Sequence, residues 1–173
     1  GTGSSPVLIG NLLVFHADGA EDPLLVALEA KTGKVKWKTP RNQEVRKTFS
    51  FSTPLELKER DKSLILSPAS GMVGAYDPVD GSLVWKVRYG EGYSVVPRPV
   101  IANGLIYVAT GFEVPRLMAI EPKGAKGDVT KTHVVFDENK NVGKTPSFVA
   151  AHGSLYLIDD NGTLSCRDGR SGE

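Results

Sequence analysis

Four prolines divide this chain at nearly equal intervals. They stand in Ser5-Pro6-Val7, Thr53-Pro54-Leu55, Arg98-Pro99-Val100 and Thr145-Pro146-Ser147, 48, 45 and 47 residues apart. A period of this size means tandem structural units, each too small to bury its own apolar surface, stacked so that neighbours bury one another.

Each unit repeats the same order of short segments. After the proline come a turn and an apolar run: Leu12 to Phe15, Leu64 to Leu66, Leu105 to Val108 and Leu155 to Ile158. Gly10-Asn11, Asn103-Gly104 and Gly153-Ser154 precede three of these runs as hairpin turns, and Arg60-Asp61-Lys62 precedes the other. A further run follows at Leu24 to Leu28, Met72 to Tyr76, Leu117 to Ile120 and Leu164 to Cys166. Two units then share a close signature, Gly33 four residues before Trp37 and Gly81 four before Trp85. Val35 with Trp37, and Leu83 with Trp85, have the period of two that a half-buried strand requires. The third unit replaces this signature with a longer turn, Pro122 to Thr132, and the strand His133 to Phe136.

Each unit therefore reads as four short antiparallel strands in about 46 residues. The best helical window, Leu24 to Lys31, is bracketed too tightly by Pro23 and Gly33. Four-stranded units at this period are propeller blades. A β-sandwich would not need proline, glycine and tryptophan landmarks in register. The expected fold is an all-β propeller of four-stranded antiparallel blades, with about four blades present. The expected boundaries are 5–40, 52–90, 96–138 and 145–173, the last lacking its outer strand. That extent reads as a fragment or half of an eight-bladed ring, the other blades coming from the rest of the chain or from a second copy.

Composition narrows the function classes. A net charge of +1 does not suggest a nucleic-acid partner, and five- or six-residue apolar runs cannot span a bilayer. One cysteine excludes an internal disulfide framework and any multi-cysteine zinc site.

The turn-strand signature resembles the pyrroloquinoline-quinone-like (PQQ-like) propeller repeat, roughly Ala-x-Asp-x-x-Thr-Gly-x-x-x-Trp. Ala27, Glu29, Thr32, Gly33 and Trp37 match it, as do Ala75, Asp77, Gly81 and Trp85, and in part Cys166, Asp168, Ser171 and Gly172. Lys38 and Lys86 after the tryptophans exclude a WD40 unit, and no Gly-Gly doublet supports kelch. The resemblance implies that Trp37, Trp85, Gly33 and Gly81 dock one blade on the next. Unit three has Val135 or Phe136 where the tryptophan should be. The family's best-understood members are an outer-membrane assembly lipoprotein and the quinoprotein alcohol dehydrogenases. The resemblance thus implies a non-catalytic, exported protein-interaction scaffold of the bacterial cell envelope, without cofactor. The alternative is part of a PQQ- and calcium-dependent dehydrogenase, and a second alternative is a carbohydrate-binding propeller. The dehydrogenases hold their quinone under a vicinal disulfide, which Cys166 alone cannot form.

The residues offer little catalytic chemistry. Cys166 reads as a buried structural thiol in an inner strand. His16 reads as following a strand and facing a loop, and His16, His133 and His152 lack partners at ligand spacing. Asp159-Asp160-Asn161-Gly162 fails the calcium-loop spacing and reads as a tight turn. The loops between units are richer. One carries Arg41, Glu44, Arg46, Lys47, Phe49 and Phe51, and the next carries Tyr89, Glu91, Tyr93 and Arg98. In a propeller such loops lie at the rim of the central channel. Arg46, Lys47, Tyr89, Glu91, Tyr93 and Arg98 are therefore candidates for binding a protein or peptide. The competing reading packs the aromatics between blades and leaves the charges solvated. The outer edge of a blade is a further place for an extended peptide to pair.

Overall fold

The computed structural model describes residues 3–19, 21–41, 45–59, 62–90 and 92–173, and no helix occurs among them. The first sheet has the order β1 (Val7–Ile9), β2 (Leu12–Ala17), β3 (Leu24–Glu29) and β4 (Val35–Pro40). The second runs β5 (Leu55–Glu59), β6 (Lys62–Ala69), β7 (Met72–Tyr76) and β8 (Leu83–Arg88). The third runs β9 (Val100–Ala102), β10 (Leu105–Ala109), β11 (Leu117–Ile120) and β13 (Val134–Glu138). The fourth holds β14 (Val149–Ala151), β15 (Ser154–Ile158) and β16 (Leu164–Asp168). These are antiparallel propeller blades, numbered here 1 to 4 in chain order.

Register explains the repeat. Val14 lies opposite Ala27, which lies opposite Trp37. Leu66, Ala75 and Trp85 align in the same way in blade 2, and Tyr107, Ala119 and Phe136 in blade 3. A bulge directly follows the alanine in all three blades, at Ala27/Leu28, Ala75/Tyr76 and Ala119/Ile120. The small alanine leaves room on that face for the aromatic ring beside it.

The turn that leads into the outer strand explains the acidic residue and the glycine. The Gly81 amide bonds the Asp77 carbonyl at 2.8 Å, and the Gly172 amide bonds the Asp168 carbonyl at 3.0 Å. The Asp77 carboxylate accepts from the Val79 amide, and the Asp168 carboxylate from the Arg170 and Ser171 amides, each at 2.8 Å. Gly81 has φ +77° and Gly172 φ +80°, the left-handed region that costs glycine least.

Blades join face to face through apolar clusters. Val14, Ala27 and Trp37 pack on Ile65 and Tyr76 between blades 1 and 2. Leu66, Trp85, Ile106, Met118 and Ile120 fill the second junction. Tyr107, Phe136, Phe148, Leu155 and Leu157 fill the third. The Trp37 indole Nε1 donates to the Pro78 carbonyl at 3.0 Å, in the turn that holds Gly81. A Cβ on Gly81 would stand 2.6 Å from the Trp37 ring. Phe136 meets Gly172 in the same way, at 2.9 Å from a built Cβ. Gly33 has φ +70° with open space where a Cβ would stand.

The Pro122 to Thr132 turn is more than a connection. Within it β12 (Gly127–Asp128) pairs in parallel with β8, so blade 3 lends a fifth strand to the outer edge of blade 2. Ala125 and Val129 from the same segment join the Trp85 cluster.

Two readings of single residues are corrected. Cys166 is exposed and lies on the third strand of its blade. It pairs with Tyr156 and occupies the place of Ala27, Ala75 and Ala119. Those alanines are buried because another blade covers their face, whereas no described residue covers that face of blade 4. His16 does not face a loop. It lies within β2, 1% exposed, in phase with Val14. The Asp159 to Gly162 segment is a turn, its Asp159 carboxylate accepting the Asn161 and Thr163 amides at 2.9 and 2.8 Å. Those bonds hold the Asp159 carboxyl below its usual range.

Candidate functional site

Hairpins joining the second and third strands of each blade meet the loops passing between blades at one end of the molecule. The Gly71 amide bonds the Gly92 carbonyl at 2.7 Å, and the Lys144 amide bonds the Asp160 carboxylate at 2.7 Å. The Thr48 hydroxyl donates to the Gly19 carbonyl.

Three of these segments are stitched together. The Ser94 amide bonds the Phe49 carbonyl and the Phe51 amide the Val95 carbonyl, both at 2.8 Å. The Phe112 amide bonds the Tyr93 carbonyl at 2.9 Å. Ser94 and Glu113 hold positive φ values of 50° and 73°, so the loops take sparsely populated conformations fixed by this ladder.

The stitching builds an aromatic and cationic stack. The Tyr93 and Phe112 rings lie 6.2 Å apart, centroid to centroid. The Lys47 ammonium stands 3.9 Å from the Tyr93 centroid and the Lys144 ammonium 5.7 Å from that of Phe112. Glu113 pairs with Lys47 at 3.5 Å. Tyr93 and then Glu113 hold the Lys47 pKa above its ordinary value. Phe112 is 37% exposed and Val114 52%, so the stack has an apolar surface in contact with water. Cations over ring faces orient such a surface without burying it.

Of the candidates read from sequence, Lys47 and Tyr93 meet in this stack. Arg46 is exposed on the loop that carries Lys47. Arg98 is exposed farther along, its amide bonding the Ser147 hydroxyl at 3.4 Å. Tyr89 turns inward, its hydroxyl against the Ala69 and Met72 carbonyls, and burial raises its pKa. Glu91 and Glu44 lie outside the described residues. Sequence reasoning missed Phe112, Glu113 and Lys144. They sit on a hairpin and a loop whose approach to Tyr93 follows only from blade stacking.

Beneath the rim lies a buried polar group that sequence reasoning also missed. His16 Nδ1 meets Asp18 Oδ2 at 2.8 Å, and His16 Nε2 meets the Ser52 carbonyl. The Arg41 guanidinium reaches Asp18 Oδ2 at 3.3 Å, the Ser67 hydroxyl at 2.9 Å and the Ser67 carbonyl at 3.1 Å. The group spans blade 1, the loop after it and blade 2. The phase of His16 with Leu12 and Val14 along β2 was the signal that could have found it.

The sequence matches over residues 1–173 the family described as outer membrane protein assembly factor BamB. The chain belongs to this PQQ-like propeller family. Outer membrane protein assembly factor BamB of Moranella endobia (strain PCIT) is 21% identical over 178 residues, covering 98% of this chain and 42% of that protein. The crystal structure of BamB from Moraxella catarrhalis superposes with a TM-score of 0.72 at 16% identity, covering 97% of this chain and 45% of that one. A quinohemoprotein alcohol dehydrogenase from Pseudomonas putida HK5 superposes at 0.64 with 14% identity, covering 99% of this chain and 33% of that one. At these identities the structures show a shared fold. The chain spans under half the length of the BamB proteins it matches.

The dehydrogenase likeness invites a test against a quinone and calcium. The described residues do not fit that pair. No three His, Cys, Asp or Glu side chains among them gather as an ion site. Cys166, the single cysteine of the sequence, lies on a blade face that no described residue covers, with no second thiol among the described residues to pair with.

Proposed function

We propose that this chain is a protein-binding propeller segment of the bacterial cell envelope, exported to the periplasm and acting in outer membrane protein assembly. Family membership and the BamB relatives support that setting. The Lys47, Tyr93, Phe112 and Lys144 stack is its contact surface, and this stack is the observation that carries the reading. Aromatic side chains with flanking cations make effective protein-contact anchors, because they bury large area at low conformational cost. The loops are already fixed by their ladder, so little ordering remains to oppose binding. Two lysines and the exposed Arg46 favour an apolar segment carrying acidic residues.

The test is binding to purified proteins of an outer membrane assembly complex, measured by surface plasmon resonance. The double variant Tyr93→Ala/Phe112→Ala should weaken binding at least tenfold, as loss of about 1.4 kcal/mol or more at an anchor requires. Unchanged affinity in a correctly folded variant would refute the assignment.

A further inference from the structure

The outer strand of blade 1 carries a one-sided charge. Residues 30–41 hold Lys31, Lys34, Lys36, Lys38 and Arg41 and no carboxylate, in a chain whose net charge is +1. The four lysines are exposed, and no ion pair among the described residues engages them. The main chain of β4 faces two ways. The Arg41 amide bonds the Pro23 carbonyl at 2.8 Å, on the β3 side. By strand alternation Thr39 and Trp37 also turn their backbone groups to β3, and Lys38 turns its own outward. β4 is the last strand of its sheet, so this edge is unpaired among the described residues.

The neighbouring blade shows what such an edge accepts. Its register is the same, with Lys86 after Trp85 in the place of Lys38 after Trp37. There β12 pairs along the edge in parallel, Asp128 alongside Lys86, and the Val129 amide bonds the Lys86 carbonyl at 2.9 Å. The Asp128 carboxylate is held by a cation of the same edge, Arg88 Nε, at 2.9 Å. Blade 3 offers the opposite charge. Asp137, after Phe136, takes the equivalent place and already pairs with Arg116 at 2.6 Å. Of these three edges, that of blade 2 is filled, that of blade 3 is acidic, and that of blade 1 is open and basic.

We propose that the outer edge of blade 1 receives an extended acidic segment of a partner protein, paired along β4 as β12 pairs along β8. The backbone of that segment meets the outward groups of Lys38, and its carboxylates lie beside the Lys36 and Lys38 ammoniums. Pro40 stands where Arg88 does in blade 2 and has no amide, so the outward donors end at Lys38. Lysines on a free edge discourage neutral and basic strands, and the same charges select an acidic one. This edge lies on the outermost strand of its blade, and the proposal does not depend on the rim stack.

The probe is a capped peptide of about seven residues in which Val and Glu alternate, followed by amide NMR and hydrogen exchange. The Lys38 amide should shift saturably and gain protection, while the Thr39 amide, already turned to β3, should gain none. The same peptide with Gln for Glu should bind about fivefold more weakly. Lys36→Gln/Lys38→Gln should abolish that preference and leave the rest of the amide spectrum unaltered. Two further peptides, N-methylated at one or the other set of alternate amides, keep the charge and remove the donors, and one of them should lose binding. Undiminished affinity of both would mean charge attraction alone, as an anionic lipid surface would also show, and would overturn the proposal. So would a Lys38 amide that exchanges at the same rate with and without excess peptide.

Discussion

Gly81 is constrained twice, by its backbone and by its neighbour. Its φ of +77° strains any side-chain-bearing residue, and a Cβ would press 2.6 Å from the Trp37 ring. Gly33 occupies the equivalent turn with φ +70° but open space beside it. Gly81→Ala should therefore cost about 2–4 kcal/mol, the sum of left-handed strain and overpacking. Gly33→Ala should cost about 1 kcal/mol, from strain alone. Urea denaturation of both variants measures the difference, and equal losses would mean that Trp37 does not seat on the Gly81 turn. At this scale the repeat motif was legible in part. Glycine and tryptophan could be read because their spacing is local. The ring facing Gly172 could not be assigned, since Phe136 replaces the motif's tryptophan and its partner lies in another blade. Cys166 was misread because burial of its face depends on a neighbouring blade, which period-two alternation does not reveal.

Among the elements, β12 is the addition that sequence patterning missed. Gly127–Asp128 is two residues long, carries no apolar alternation, and pairs in parallel with a strand about 40 residues earlier. Its hold is largely polar. The Val129 amide bonds the Lys86 carbonyl at 2.9 Å, the Arg88 amide bonds the Thr130 hydroxyl at 2.9 Å, and Arg88 Nε pairs with Asp128 at 2.9 Å. Thr130, then Arg88, lower the Asp128 pKa to about 2. The folded value lies below the unfolded one, ~3.9. Its stabilisation is thus present above pH ~4 and lost as pH falls toward 2. The carboxylate is 42% exposed, so solvent screens the effect and keeps it small. Hydrogen exchange at the Val129 amide, corrected for intrinsic rates, should lose protection at pH 2.5 relative to pH 5. Asp128→Asn should remove most of that pH difference. Protection unchanged with pH in the native sequence would show that apolar contacts of Ala125 and Val129 alone hold the segment. The other strands were legible because each is bounded by a proline or glycine turn and carries its own apolar residues.

In the whole molecule, fold and function were legible to different degrees. A 46-residue period specifies blades, since each unit must cover its neighbour's apolar face. It does not specify which loops converge. Lys47, Tyr93, Phe112 and Lys144 are spread over almost 100 residues and meet only because blades stack. Lys47 and Tyr93 could be named from the composition of their loops, whereas Phe112 and Lys144 had no local signal. The central claim is that this end of the propeller meets a protein partner in the envelope. Site-specific photo-crosslinking tests it most directly, with p-benzoylphenylalanine replacing Phe112 on the rim or Val79 in the turn at the opposite end, which is 75% exposed. In intact cells, the probe at position 112 should capture outer membrane assembly proteins and the probe at 79 should not. Equal capture from both positions, or capture from position 79 alone, would contradict the account.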